Sequence, residues 1–220
     1  MTDITALQRL LTWLSPVFPV GSFAWSQGLE TAIAEGRVAD AASLKDWIGG
    51  SIAHGGLRTD AIVLAQAHIG QRNAARLAEI AELAIALTAA SERRLETTLT
   101  GETFGIAARA WPSDVFARLP QPCPYPVAVG AIAGAQGIGL NETLIGYLTA
   151  SVHSQVSVAV RLVPLGQTAG LQVMAGLETA IAALASAAAN LSLDDIGGIA
   201  YAAEIAQMRH ETLGTRIFRS

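Results

Sequence analysis

Leu14-Ser-Pro-Val-Phe-Pro-Val-Gly-Ser-Phe-Ala-Trp-Ser-Gln-Gly-Leu-Glu30 interrupts what is otherwise a run of helical patterns. Pro16 and Pro19 cannot continue a helix and push the residues before them towards extended backbone, while Gly21 permits a turn that a larger residue resists. The chain must stop, bend and restart here. Ser22 is the candidate N-cap of a second helix, with Phe23, Trp25, Leu29 and Ile33 as its apolar contacts and Gly36 as its stop. An aromatic-rich elbow is costly to leave in water, so it either seals the core or docks a partner.

Working outward, the pattern is helical on both sides. Leu7, Leu10, Leu11 and Leu14 recur at helical spacing and end at Pro16. Ser43–His54 runs to Gly55-Gly56, Arg58–Ile69 to Gly70, and Asn73 can cap a segment with Leu77, Ile80, Ala84 and Leu87 on one face. Ser91-Glu-Arg-Arg-Leu-Glu96 opens a segment reaching about Trp111, where Pro112 ends it. Its charges read most simply as a solvated face with i,i+4 pairs. Pro120, Pro122, Pro124 and Pro126 form a linker around Cys123, which has no second Cys or His at ligand spacing and reads as a plain loop thiol. Gly130 and Gly134 would let one helix approach another backbone closely. Asn141 is a candidate cap for a helix carrying Leu144, Leu148, Val152, Ala159 and Leu162 and closing at Val163, before Pro164; His153 falls near that face. Ser192 with Asp195 resembles a capping box opening a last helix from Asp194 to about Leu213. The expectation is an all-α bundle of roughly ten helices in one domain, residues 1–220, with a docking segment at 208–220.

Composition bounds function. The chain has 220 residues, is 51% hydrophobic and carries a net charge of −4, with Lys45 the lone lysine, so it lacks the basic stripe that nucleic acid requires. One cysteine excludes an internal disulfide and suits a reducing compartment. Met-Thr-Asp-Ile-Thr-Ala shows no secretory signal, which leads to the expectation of a cytoplasmic protein. The glycosylation-like Asn141-Glu-Thr and Asn190-Leu-Ser are then caps or loop residues. Leu171–Leu193 is alanine-rich and long enough to raise a membrane span, but Gln172 and Glu178 argue for a buried bundle helix. No phosphate-loop or Rossmann fingerprint occurs, and no Gly-x-Ser-x-Gly nucleophile is present.

Between Leu119 and Leu193 only Glu142, Arg161 and Glu178 are charged. A monomer would expose part of so apolar a segment, which points to a covering protein. Arg161 must find an acceptor inside the fold or present its donors at an interface. The end, Met208-Arg-His-Glu-Thr-Leu-Gly-Thr-Arg-Ile-Phe-Arg-Ser220, is both cationic and apolar, and reads as a docking segment or as a tail packed on its own core. A helical enzyme with an apolar substrate cavity is the rival class, and clustered acids or a nucleophile pair would mark it.

Ser15–Glu30, Val160-Arg-Leu-Val-Pro-Leu-Gly-Gln167 and Met208-Arg-His-Glu211 with Arg216-Ile-Phe-Arg-Ser220 closely resemble the UreF family of urease accessory proteins, in its order and spacing. Ser91–Glu96 resembles the family's central charged segment, so the likeness covers nearly the whole chain. The resemblance implies a non-catalytic, all-helical, homodimeric chaperone that binds UreD (also called UreH) and the nickel-carrying GTPase UreG, and so delivers nickel to apo-urease. It implies no tightly bound cofactor, only nickel in transit. Arg161 stands where the family has a basic residue associated with control of the GTPase. The resemblance names as partner-interface residues Pro16, Pro19, Gly21, Phe23, Ser26, Gly28 and Glu30 in the elbow, with Arg161 and Gln167. From the tail it adds His210, Glu211, Arg216, Phe218, Arg219 and Ser220. Gln27 stands where a histidine is common, and Leu171 interrupts a Gly-Gln pair often seen after Pro-Leu-Gly-Gln.

Overall fold

The computed structural model describes residues 4–220. Its helices are α1 (Ile4–Trp13), α2 (Leu29–Ala34), α3 (Ala41–His54), α4 (Gly56–Gly70), α5 (Ala74–Ala86), α6 (Ser91–Ala107), α7 (Tyr125–Ala135), α8 (Leu140–Leu162), α9 (Gly166–Ala188) and α10 (Tyr201–His210). The described residues form no strand. The all-α expectation holds, as does the count of about ten.

The bundle is organised around α4 and α7, its most extensively packed pair. α4 buries Leu57, Ala61, Ile62, Val63, Leu64, Ala65 and Ala67, while α7 buries every residue from Pro126 to Ala133. Burial all round is what a near-continuous apolar helix requires. Gly130 and Gly134 set the distance between the two: a Cβ would lie 2.3 Å from the Leu64 carbonyl oxygen at the first and 2.6 Å from that of His68 at the second. The close approach expected from their spacing is present. α6 packs on the other side of α7 through Gly101, where a Cβ would stand 2.0 Å from the Cys123 carbonyl oxygen. α8 and α9 form a long antiparallel pair, and α3 lies against α9. α9 is long and apolar enough to cross a membrane, but it turns Val173, Leu177, Ile181, Leu184 and Ala185 into the bundle.

Several boundaries move. α3 begins at Ala41 because Asp40 supplies a capping box with Ser43. Asn73 caps α5 as expected, its side chain accepting from the Arg76 amide, but Leu87 lies beyond the helix and half exposed. α6 ends at Ala107, and the stretch to Trp111 is a 3-10 turn. α8 starts at Leu140 with Gly139 in the cap position, so Asn141 caps nothing. Its C-terminus falls where Pro164 dictates. His153 is exposed rather than on the buried face. The Ser192–Asp195 box is formed, yet it closes only the 3-10 turn Leu193–Asp195, and α10 begins at Tyr201. Cys123 is a free thiol in the linker before α7 and is buried there, which pushes its pKa up to about 12.

The largest local departure is the elbow. Ser22 does not cap a helix: Ser22–Ala24 is a 3-10 turn that follows Gly21 at φ 71, and α2 starts only at Leu29. Gln27 and Gly28 hold φ of 55 and 78. The interruption has a partner elsewhere in the chain. The Ala24 carbonyl accepts from the Arg219 amide at 2.8 Å, and the Ser26 amide donates to the Ser220 carbonyl at 2.8 Å. Backbone groups that a helix would have used are spent on the C-terminus. Trp25 and Leu29 are buried as expected, but Phe23 is 72% exposed.

Candidate functional site: a clasp between elbow and tail

The C-terminal segment lies across the elbow and the first turns of α6, and one carboxylate organises the junction. Glu30, buried at the start of α2, accepts from the Ile217 amide at 2.7 Å (Oε1) and from the Phe218 amide at 3.0 Å (Oε2). Its Oε2 also meets His210 Nε2 at 3.0 Å. The other ring nitrogen, Nδ1, lies 2.6 Å from Glu92 Oε2. Glu92 in turn accepts from Arg216 at 2.7 Å through Oε1. Charge-assisted hydrogen bonds of this kind are the stronger class, and here they pin the tail at three successive points. A fourth comes from Glu211, which accepts from the Ser91 amide at 3.2 Å at the start of α6. Gly28 permits α10 to close in, since a Cβ would sit 2.7 Å from the Gln207 amide nitrogen.

Ser220 ends the clasp inside the protein. It is fully buried, its carbonyl accepts from the Ser26 amide and hydroxyl, and its hydroxyl donates to Glu96 at 3.3 Å. Glu96 also accepts from Gln27 at 2.9 Å and pairs with Arg93 at 3.4 Å; Arg93 bonds Asp60 at 2.9 Å, to which the Tyr147 hydroxyl also donates at 2.9 Å. Burial pushes the Glu96 carboxyl above the ordinary glutamate range, against the opposing pull of Arg93. For Arg93 burial works against the charge, and the carboxylates of Glu96 and Asp60 overcome it, leaving the guanidinium held more firmly protonated than usual. The charges of Ser91–Glu96 are therefore a solvated face only in part: Arg94 is exposed, but Glu92, Arg93 and Glu96 turn inwards to hold the tail and the core. This corrects the sequence reading. The physical reason is that their partners arrive from distant parts of the chain, Asp60 from α4, His210 from α10, and Arg216 and Ser220 from the tail beyond it.

Two arginines finish the surface. The Arg161 guanidinium lies 4.7 Å from the centroid of the Phe218 ring, and that of Arg219 lies 4.7 Å from the centroid of the Trp25 ring. The cation–π contact restrains each guanidinium while the side chain stays exposed. Of the residues named from sequence, the structure brings Ser26, Gly28, Glu30, Arg161, His210, Glu211, Arg216, Phe218, Arg219 and Ser220 into one clasp. Pro16, Pro19, Gly21 and Phe23 remain exposed on the adjoining elbow, and Gln167 is exposed in the first turn of α9, outside it. Ser26, Glu30, His210, Phe218 and Ser220 are buried and serve the surface by holding it. Sequence reading missed Asp60, Glu92, Arg93 and Glu96; the Arg93–Glu96 spacing of i,i+3 was a signal, Asp60 left none. Among the described residues no group of three or more His, Cys, Asp and Glu side chains is arranged to hold a metal.

The UreF family model matches residues 38–178. The chain belongs to the UreF family of urease accessory proteins. Full-length likeness extends this to both halves of the clasp. The chain is 53% identical over 218 residues to the urease accessory protein UreF of Rhizobium etli, covering 99% of this chain and 98% of that one. It is 46% identical over 219 residues to UreF of Agrobacterium fabrum, covering 100% and 98%. Against UreF 1 of Brucella anthropi it is 45% identical over 216 residues, covering 98% and 95%. Membership of the UreF family implies a role in urease maturation.

Proposed function

We propose that this UreF-family chain is a non-catalytic, cytoplasmic nickel-insertion chaperone: a homodimeric scaffold that binds UreD/UreH, recruits the GTPase UreG and couples GTP hydrolysis to nickel delivery into apo-urease. Nickel is cargo in this reading, not a resident cofactor.

The observation that carries it is the clasp. A tail fastened by Glu30, His210 and Glu92 presents Arg161, Arg216 and Arg219 together with Phe23 and Ile217 on a preorganised surface, the combination of arginine and apolar side chains that protein interfaces favour. Stacked guanidiniums suit a carboxylate or phosphate of a partner.

Co-purification of the chain with UreD and UreG, with and without GTP and nickel, followed by size exclusion with light scattering, tests the proposal. Two copies of this chain per complex are expected. Deleting Ile217–Ser220 should abolish UreG capture while helicity persists, and Arg161→Ala should change GTP turnover or urease nickel content. Failure of the folded chain to bind either protein would overturn the reading.

A further inference from the structure

α6 begins at the clasp, runs for 17 residues, about 25 Å, and gives way at its far end to two 3-10 turns, Ala108–Ala110 and Asp114–Ala117. Four of the chain's thirteen arginines converge on these turns. The Arg109 guanidinium lies 5.1 Å from the centroid of the Phe116 ring. Arg118 donates through Nε to the Gln71 carbonyl at 3.1 Å, which brings the loop carrying Arg72 against the second turn. Arg9, on α1, donates to Gln136 Oε1 at 2.8 Å, and the Gln136 amide donates in turn to the Trp111 carbonyl at 3.1 Å.

Asp114 is the one carboxylate within these turns, and it is taken by Arg118 in a two-pronged pair at 2.9 and 3.0 Å. Arg9, Arg72 and Arg109 make no ion pair among the described residues. The next acids are set back: Glu102 lies two turns earlier on α6, and Glu142 stands near His68. In a chain of net charge −4 this end is an island of the opposite sign. Arg72 and Arg109 are exposed, with guanidinium donors to spare. Apolar surface adjoins them. Ile106, three residues before Arg109 and so on the same side of the helix, is 70% exposed, and Pro112 is exposed beyond it. Arginine beside exposed apolar side chains is the composition of a protein interface, whereas a nucleic acid asks for a longer basic track than these turns provide.

We propose that this arginine pole docks an acidic, partly apolar segment of another protein, its carboxylates met by Arg72, Arg109 and Arg9 and its apolar side chains set against Ile106 and Pro112. Charge-assisted hydrogen bonds to guanidinium fix the segment, and the unpaired positive charge draws it in. The surface lies at the opposite end of α6 from the clasp, so it does not depend on the partner-binding role proposed above and is tested on the isolated full chain.

The experiment is a fluorescence-anisotropy titration of a labelled glutamate–leucine peptide with the full chain, beside a lysine–leucine peptide and a single-stranded oligonucleotide of matched length. The acidic peptide is expected to bind saturably, and about tenfold more weakly when NaCl is raised from about 0.03 M to about 0.3 M. Arg72→Glu with Arg109→Glu, checked for native helicity, should weaken binding at least about tenfold, and Arg72→Gln with Arg109→Gln should fall between that variant and the unaltered chain. Arg37→Glu with Arg94→Glu changes the net charge equally at exposed positions away from the pole and should leave binding unchanged. No binding of the acidic peptide, an equal response to the lysine–leucine peptide, or an equal loss in the Arg37 and Arg94 variant would overturn the proposal. Tighter binding of the oligonucleotide would overturn it in favour of a nucleic acid. A change in oligomeric state of the Arg72 and Arg109 variant in light scattering would overturn it in favour of a second copy of this chain.

Discussion

Glu30 and His210, 180 positions apart, meet at 3.0 Å between Oε2 and Nε2 with the imidazole wholly buried. The opposite ring nitrogen faces Glu92, so both carboxylates accept from one ring only when both nitrogens carry hydrogen. Glu30 holds the Ile217 and Phe218 amides as well. The tail is thus not a strand of chain resting on the surface but a segment whose backbone and side chains share acceptors with the core.

Glu30→Ala should therefore destabilise the protein by about 3–5 kcal/mol, since it leaves a buried imidazole and two amide donors without their acceptor. Hydrogen exchange at Ile217 and Phe218 should accelerate by more than exchange within α4. If both regions responded equally, the carboxylate would be a general stabiliser rather than the fastener of the tail. Glu30→Gln, which keeps an acceptor, should lie between the two proteins.

Arg93→Met removes the partner of Asp60 and Glu96 and should cost about 3–5 kcal/mol in urea unfolding. The double variant Arg93→Met with Glu96→Gln should recover part of that loss, because one of the stranded charges is gone. No recovery would mean that Arg93 acts by packing alone.

Glu96 also predicts a pH dependence. Its folded-state carboxyl titrates above the ordinary range because of burial, so the folded protein binds the proton more readily than the unfolded chain. The contribution to stability is fully present below the unfolded value of about 4.3 and is lost as pH rises through the folded one. Stability measured by urea unfolding should fall over that window relative to Glu96→Gln, which lacks the titration. A constant difference between the two proteins across the window would contradict the assignment.

Two glycines separate crowding from propensity. At Gly101, inside α6, a Cβ would collide with the Cys123 carbonyl oxygen at 2.0 Å, and backbone cannot step aside cheaply. Gly101→Ala should destabilise by about 1–3 kcal/mol or more. At Gly49, inside α3, nothing lies within 4 Å, and Gly49→Ala should stabilise by about 0.5–1 kcal/mol through helix propensity. Thermal melts of the pair decide it: similar shifts would place Gly101 in more open surroundings than α6 and α7 give it.

Cys123 should resist alkylation. It is 3% exposed, and burial pushes the thiol up to about 12, so little thiolate forms near neutrality. Labelling by iodoacetamide should track unfolding in urea, and rapid labelling of the native protein would show the linker to be open.

Local chain stops were legible because they are enforced by one or two residues at a time. Pro16 and Pro164 stop helical runs by geometry alone, Asn73 caps α5 by accepting from the Arg76 amide, and Gly130 with Gly134 announces a close helix contact by spacing. Errors fell where a local motif had a distant competitor. Ser22 is a good N-cap by type, yet the backbone beside it pairs with Arg219 and Ser220 instead of entering a helix. Asn141 lost the cap position to Gly139, and the Ser192–Asp195 box closed a single turn because the chain from Ile196 onwards leaves the helical path.

What the amino-acid sequence determined by itself was the helical class, the breaks at proline and glycine, the capacity of the Gly130–Gly134 helix for a close approach to another, and the resemblance carried by the elbow and the tail. Each of these rests on backbone constraints or on short spacings within one segment. Only the tertiary structure decided the fate of the charges. Whether Glu92, Arg93 and Glu96 face water or the interior depends on where Asp60, His210, Arg216 and Ser220 come to rest, and burial of an ion is tolerable only where such partners meet it. Those meetings join residues as far apart as 124 positions, and no local pattern encodes them.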